Sequence, residues 1–119
     1  MAKTIETENR PNPIKITDPD SGEVFILDFN RASVKFAEQR GFKIMSMSDN
    51  PETGISDLFF YAFRKNHREI SREKTDRILQ DLEGLLPAEV TRLQELYSSA
   101  ITALNISGER KNARMSVEM

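Results

Sequence analysis

The hydrophobic pattern begins with a two-residue period and turns helical after residue 30. Ile14-Lys-Ile-Thr17 alternates apolar and polar positions, which predicts a short strand with Ile14 and Ile16 on one face. Asp18-Pro-Asp-Ser-Gly22 predicts a turn: Pro19 presets φ at the first central position, and Gly22 can take positive φ as the chain re-enters a strand. In Glu23-Val-Phe-Ile-Leu-Asp-Phe29, Phe25, Leu27 and Phe29 share one face and Val24 and Ile26 the other. A strand apolar on both faces needs cover on both. A lone hairpin is marginal in water, so this one must lean on helices or extend a sheet in an oligomer.

Beyond the hairpin, Asn30 suits the N-cap of a helix over 31–40, with Ala32, Phe36 and Ala37 as its apolar edge and Gly41 as the residue that stops it. Residues 42–54 make a long linker for a small domain. Phe42, Ile44, Met45 and Met47 predict that it is packed. The next helix, capped by Thr53 or Ser56 and running to about Asn66, carries Ile55, Leu58, Phe59, Ala62 and Phe63 on one stripe. Phe60 and Tyr61 fall off that stripe. A helix apolar around more than half its girdle needs cover on more than one side, so this is the predicted central helix.

Ser71 caps a third helix, Arg72 to about Gly84. Glu73 sits in its first turn, where the helix dipole favours it, and can pair with Arg77 at i,i+4. Lys74 stands where a capping box would need Glu or Gln. Its predicted buried stripe is Ile78, Leu79, Leu82, Leu85 and Leu86. Pro87 opens the last helix at N1. Val90, Leu93, Tyr97, Ala100 and Leu104 form a short heptad-like seam there, widened by Leu96 and Ile101. The predicted fold is therefore α+β and mostly α-helical: an N-terminal β-hairpin followed by about four helices packed around an aromatic-rich central helix. Residues 1–12 are expected to be a flexible segment, 13–106 a single globular domain and 107–119 a disordered polar tail.

The charge balance, 17 basic against 19 acidic residues for a net −2, does not favour nucleic acid or an anionic membrane as the main partner. With no cysteine, disulfides and thiolate metal sites are excluded. No apolar run approaches the roughly 20 residues of a membrane span, and the N-terminus has no apolar signal core. His67 is the single histidine, and its position predicts an interaction with the last carbonyls of the central helix. Asp18, Asp20 and Glu23 lack the ligand spacing of an EF-hand loop, and a turn accounts for them. Gly41 and Gly54 sit in no phosphate-cradling pattern, and no nucleophile motif occurs. No catalytic, cofactor or metal residue is assigned, and the chain is not read as an enzyme. Arg72, Lys74 and Arg77 on the second member of a 55–83 helix pair resemble a DNA-reading helix-turn-helix, but Glu73, Asp76 and Asp81 balance them. The rings of Phe59, Phe60, Tyr61 and Phe63 suit either an ordinary core or a groove for a partner's apolar helix.

The order of features, a hairpin, a helix, a variable linker, Leu58-Phe-Phe-Tyr-Ala-Phe-Arg-Lys-Asn-His67, then Arg68-Glu-Ile-Ser-Arg-Glu-Lys-Thr75 and Asp81-Leu-Glu-Gly-Leu85, resembles the tail assembly chaperones of long-tailed, non-contractile bacteriophages. In that family a hydrophobic–aromatic–Ala–aromatic/Leu–Arg/Lys–x–x–His pattern precedes x–x–Ile–Ser/Thr–x–Glu. Phe60 to His67 and Ile70 to Glu73 match those positions, within a likeness over roughly 14–105. The resemblance implies a protein that acts in the host cell cytoplasm and is not part of the finished virion. It implies binding to the tape-measure protein and often the tail-tube protein, with self-association into a homo-oligomer. It also implies the shorter product of a pair made by ribosomal frameshifting. Such a chaperone needs an adaptable apolar surface, and Met45, Met47, Phe60 and Tyr61 offer rings and thioethers for it. Two other readings fit the residues: a small structural completion or connector subunit of the tail, assembling by strand addition at the hairpin, and a helix-turn-helix DNA-binding regulator.

Overall fold

The computed structural model describes residues 11–102 and 114–119. Two strands, β1 (Ile14–Thr17) and β2 (Val24–Leu27), are followed by α1 (Arg31–Gln39), a 3-10 turn (Ile44–Ser46), α2 (Pro51–Ala62), α3 (Arg72–Asp81) and α4 (Pro87–Thr102). This is the expected α+β, mostly helical fold. The strands pair antiparallel with Ile14 opposite Leu27 and Thr17 opposite Val24. The turn between them is built by Asp18, whose Oδ1 accepts from the amides of Asp20 (2.9 Å) and Ser21 (3.4 Å). Those two amides hold the Asp18 carboxyl below its ordinary pKa.

α2 lies at the centre. It touches α1, the 3-10 turn, α3 and α4, and Phe63 just beyond it meets Phe25 of the hairpin edge-on at 5.7 Å. Its two off-stripe rings take the extra cover that the pattern demanded. Tyr61 is buried against Phe42 and Phe36 (centroids 5.5 and 6.0 Å), while Phe60 is half-buried. The core joins Phe25, Leu27 and Phe29 to Leu58, Phe59 and Phe63 of the central segment and Leu93, Leu96 and Tyr97 of α4. Phe29 and Phe42 both pack edge-on against Tyr97 (5.0 and 5.5 Å).

The local signals place the ends of α1 correctly. Asn30 and Ser33 form a reciprocal capping box, each side-chain oxygen accepting the other's amide at 2.8 Å. At the far end Gly41 has φ +92°, and the amides of Gly41 and Phe42 return to the carbonyls of Glu38 and Ala37 in a Schellman turn. The buried edge differs from the expected one: Ser33, Val34 and Ala37 are buried, Phe36 is half-buried and Ala32 is exposed. Ser33 tolerates burial because its hydroxyl is committed to the cap.

α2 starts earlier and ends sooner than expected. Pro51 at N1 opens it, not a Thr53 or Ser56 cap, and the helix runs through Gly54. Glycine suits the close approach there: a Cβ would lie 3.0 Å from Met47 Cγ and 3.1 Å from Met47 Cα, so Met47 would have to give by a few tenths of an ångström. The linker is packed as expected through Phe42 and Met47, but Met45 is exposed. The helix stops at Ala62 because the Ala62 carbonyl accepts from the Asp28 amide at 3.0 Å, leaving the helical ladder for the hairpin. Asn66 and His67 then reach β2. Asn66 Nδ2 donates to the Ile26 carbonyl (3.2 Å), and His67 Nε2 accepts from the Ile26 amide (2.9 Å). Two side chains thus do the work of a third strand on the outer edge of β2. His67 is therefore a hairpin anchor, its ring edge-on to Phe25 at 5.4 Å, and not a cap on its own helix's carbonyls. Strand addition at this edge would have to displace both side chains.

α3 corrects a further expectation. Ser71 caps it, its hydroxyl accepting from Lys74, but its buried residue is Thr75, whose hydroxyl donates to the Arg72 carbonyl. Ile78, Leu79 and Leu85 are half-buried, and Leu82 and Leu86 are exposed. The i,i+4 ion pair is Arg72–Asp76, not Glu73–Arg77. The helix closes at Leu82 with Glu83 at φ +62° and Gly84 at φ +91°. In α4, Leu93, Leu96, Tyr97 and Ala100 are buried as the seam predicts; Leu104, the first ten residues and the tail segment 107–113 lie outside the described residues. Residues 114–119 carry no helix or strand and are exposed.

Candidate functional site

The first two helices each carry an aromatic ring followed four residues later by an arginine at or just past the helix end: Phe36 on α1 with Arg40 at its C-cap, and Phe60 on α2 with Arg64 in the turn that follows. Packing of α1 on α2 brings the two helix ends together, so that both arginines stack on the one Phe36 ring. The turn after α2 adds Arg68 and, at the first position of α3, Arg72. Between them opens a cleft of about 260 Å³ with Phe36, Phe60 and half-buried Ile70 as its apolar surface. The Arg64 and Arg40 guanidinium carbons stand 3.9 and 4.4 Å from the Phe36 ring centroid, and that of Arg72 stands 5.4 Å from Phe60. Such stacking leaves the guanidinium edges free to donate hydrogen bonds.

The arginines differ in their electrostatic partners. Arg72 bridges Asp57 (2.9 Å) and Asp76 (3.0 Å). Burial works against its charge, but hydrogen bonds to those two carboxylates outweigh burial and raise its pKa. Arg64 donates to the Arg68 carbonyl at 3.3 Å. Among the described residues, no carboxylate lies within ion-pair distance of Arg40, Arg64 or Arg68. Tyr61 stands behind Phe60, its hydroxyl pKa raised by burial and then by the charge of Asp57.

The four residues expected to bind a partner are not brought together. Phe60 faces the arginine cleft. Tyr61 and Met47 are core residues, 7% and 6% exposed, so neither offers the exposed side chain that was expected of it. Met47 helps line a separate cleft of about 160 Å³, with Phe42, Asn50 and Gly54. Met45 is 88% exposed on the 3-10 turn and lines neither cleft. The arginine cleft was not anticipated. Its sequence signal is the repeated aromatic-x-x-x-Arg spacing at 36–40 and 60–64, visible as a pair only once the two helices are known to pack.

On the α3 face that the rival helix-turn-helix reading would use, Arg72 is tied to Asp57 and Asp76, and Lys74 pairs with Glu23 at 3.3 Å. Among the described residues, no three His, Cys, Asp or Glu side chains gather where they could hold a metal ion, and no helix is long and apolar enough to cross a membrane. The whole chain, residues 1–119, matches the family described as Domain of unknown function (DUF5055). The chain belongs to that family. No curated protein and no solved structure matches it significantly.

Proposed function

We propose that this DUF5055 chain is a tail assembly chaperone that binds the tape-measure protein and keeps it soluble in the host cell cytoplasm until the tail assembles. The observation that carries this reading is the position of Phe60. It opens the motif that resembles the chaperone family, and it is half-buried in a cleft instead of being consumed by the core. The rest of that motif divides into clear tasks. Ala62 and Phe63 are buried, Arg64 flanks Phe60's cleft, and His67 anchors the hairpin. A long helical partner with an apolar side would aggregate if left bare. A concave site with rings in it can cover part of that side. The tail-tube protein is a second partner, and self-association places several such clefts along one tape-measure chain.

Co-expression with the tape-measure candidate of the same genome tests this, read by affinity pull-down and light scattering. The chaperone reading expects the long chain to become soluble and to co-purify with many copies of this protein. Phe60→Ala, in a protein that still folds, is expected to lose much of that capture. A tape-measure chain that precipitates while this protein stays soluble and alone would sink the proposal. Tyr61→Ala is not a usable probe, because Tyr61 is part of the core.

A further inference from the structure

The chain as a whole is slightly acidic, yet the cleft between α1, α2 and the 67–72 turn is lined by four arginines and, among the described residues, by no carboxylate. Arg72 alone of the four is ion-paired. Arg40, Arg64 and Arg68 therefore bring three charges to one cleft with no ion-paired carboxylate among the described residues. Two of them, Arg40 and Arg64, are held in place by stacking on Phe36. Like charges converging on a concave, partly apolar surface focus a positive field there. Guanidiniums oriented by stacking present a planar fork that matches a carboxylate in two-point contact.

We propose that this cleft takes an acidic side chain of the partner protein set beside an apolar one. The apolar group lies on Phe36 and Phe60, and the carboxylate is held by the cleft arginines that carry no ion pair among the described residues, Arg40, Arg64 and Arg68. The inference deepens the proposed function and rests on it: it states which kind of segment in the tape-measure chain is recognised. The surroundings favour a peptide carboxylate over a nucleic-acid backbone. Asp57 and Asp76 stand on Arg72 at the cleft, and Glu69 and Glu73 are exposed next to Arg68 and Arg72 in the chain. A polyanion leaving the cleft would run into this acidic surround, whereas a single carboxylate with an apolar neighbour would not.

The test uses the full chain and three sets of probes: the intact tape-measure chain in pull-down, synthetic peptides tiling that chain, and a single-stranded DNA oligomer, the last two read by fluorescence anisotropy. The tightest peptides are expected to pair Asp or Glu with a neighbouring apolar residue. Their affinity should fall steeply with added salt, and the double variant R40E/R68E should lower it by about tenfold or more. Arg40 and Arg68 are exposed, and the unfolding temperature of R40E/R68E checks that the fold is kept. If that variant does not fold, peptide preference and salt dependence of the unaltered chain decide alone. Capture of the intact tape-measure chain with no preference for acidic peptides, or with equal binding by R40E/R68E, overturns this inference and leaves the chaperone reading standing. Failure of both the intact chain and every peptide overturns both. DNA binding without peptide binding overturns this inference in favour of a phosphate site.

Discussion

Tyr97→Phe should stabilise this protein. Tyr97 is fully buried in α4, and its hydroxyl has no hydrogen-bond partner among the described residues. Leaving a buried hydroxyl unpaired costs about 1–3 kcal/mol. Phenylalanine removes that group and keeps the ring, so the edge contacts with Phe29 and Phe42 survive. The expected gain at neutral pH is about 1 kcal/mol, since some of the site collapses to fill the vacated space. The effect should grow in alkali. Burial, and then the charge of Glu38, push the Tyr97 hydroxyl up to about 12 from an ordinary 10.0. The fold accommodates the neutral form. The stability linked to keeping the proton is complete below the unfolded value and is lost as pH climbs from 10 toward 12. Over that window the native chain should lose up to about 2–3 kcal/mol that the phenylalanine variant keeps. Tyr61 is perturbed in the same direction but is common to both proteins, so it cancels in the difference. Paired urea denaturation curves at neutral pH and just above pH 10, with equal slopes, measure the gap. A variant destabilised by about 1 kcal/mol at neutral pH would show that the hydroxyl makes a bond worth keeping. A gap that does not widen in alkali would show that the hydroxyl reaches water.

Three further substitutions probe the local geometry. Gly54→Ala should destabilise by about 1–3 kcal/mol despite alanine's better helix propensity, because the new Cβ meets the Met47 backbone as well as its side chain; an unchanged or higher urea midpoint would contradict this. His67→Leu leaves the Ile26 amide without its acceptor and should cost about 1–3 kcal/mol. His67→Gln should recover part of that loss, and the Ile26 amide should exchange hydrogen faster in His67→Leu than in either other protein. Glu83→Gly relieves a left-handed backbone that costs a side-chain-bearing residue about 1–2 kcal/mol. Part of that relief is offset by glycine's greater freedom in the unfolded chain, so a rise of up to about 1 kcal/mol is expected, and a lower unfolding temperature would refute the reasoning.

The sequence by itself determined the features that depend on a few neighbouring residues. The Asp18 turn, the Asn30 and Ser71 caps, the Gly41 stop and Pro87 at N1 are short-range chemistry, and each stands where the sequence places it. The off-stripe rings of α2 likewise announced a helix covered on several sides. What the tertiary structure decided is everything that depends on which residues end up opposite one another. α2 ends at Ala62 because a hairpin amide 34 positions earlier, that of Asp28, takes its last carbonyl. Ser33 and Thr75 are buried because their hydroxyls find partners within one turn, while Leu82 and Leu86 stay exposed because no described element covers them. The arginine cleft is the plainest case. Along the chain, Arg40, Arg64, Arg68 and Arg72 disappear into a nearly balanced charge count. Packing α1 against α2 and the turn after it gathers them in one cleft and leaves only Arg72 ion-paired among the described residues, because charge compensation acts over a few ångströms in space and sequence order does not record which charges share that space.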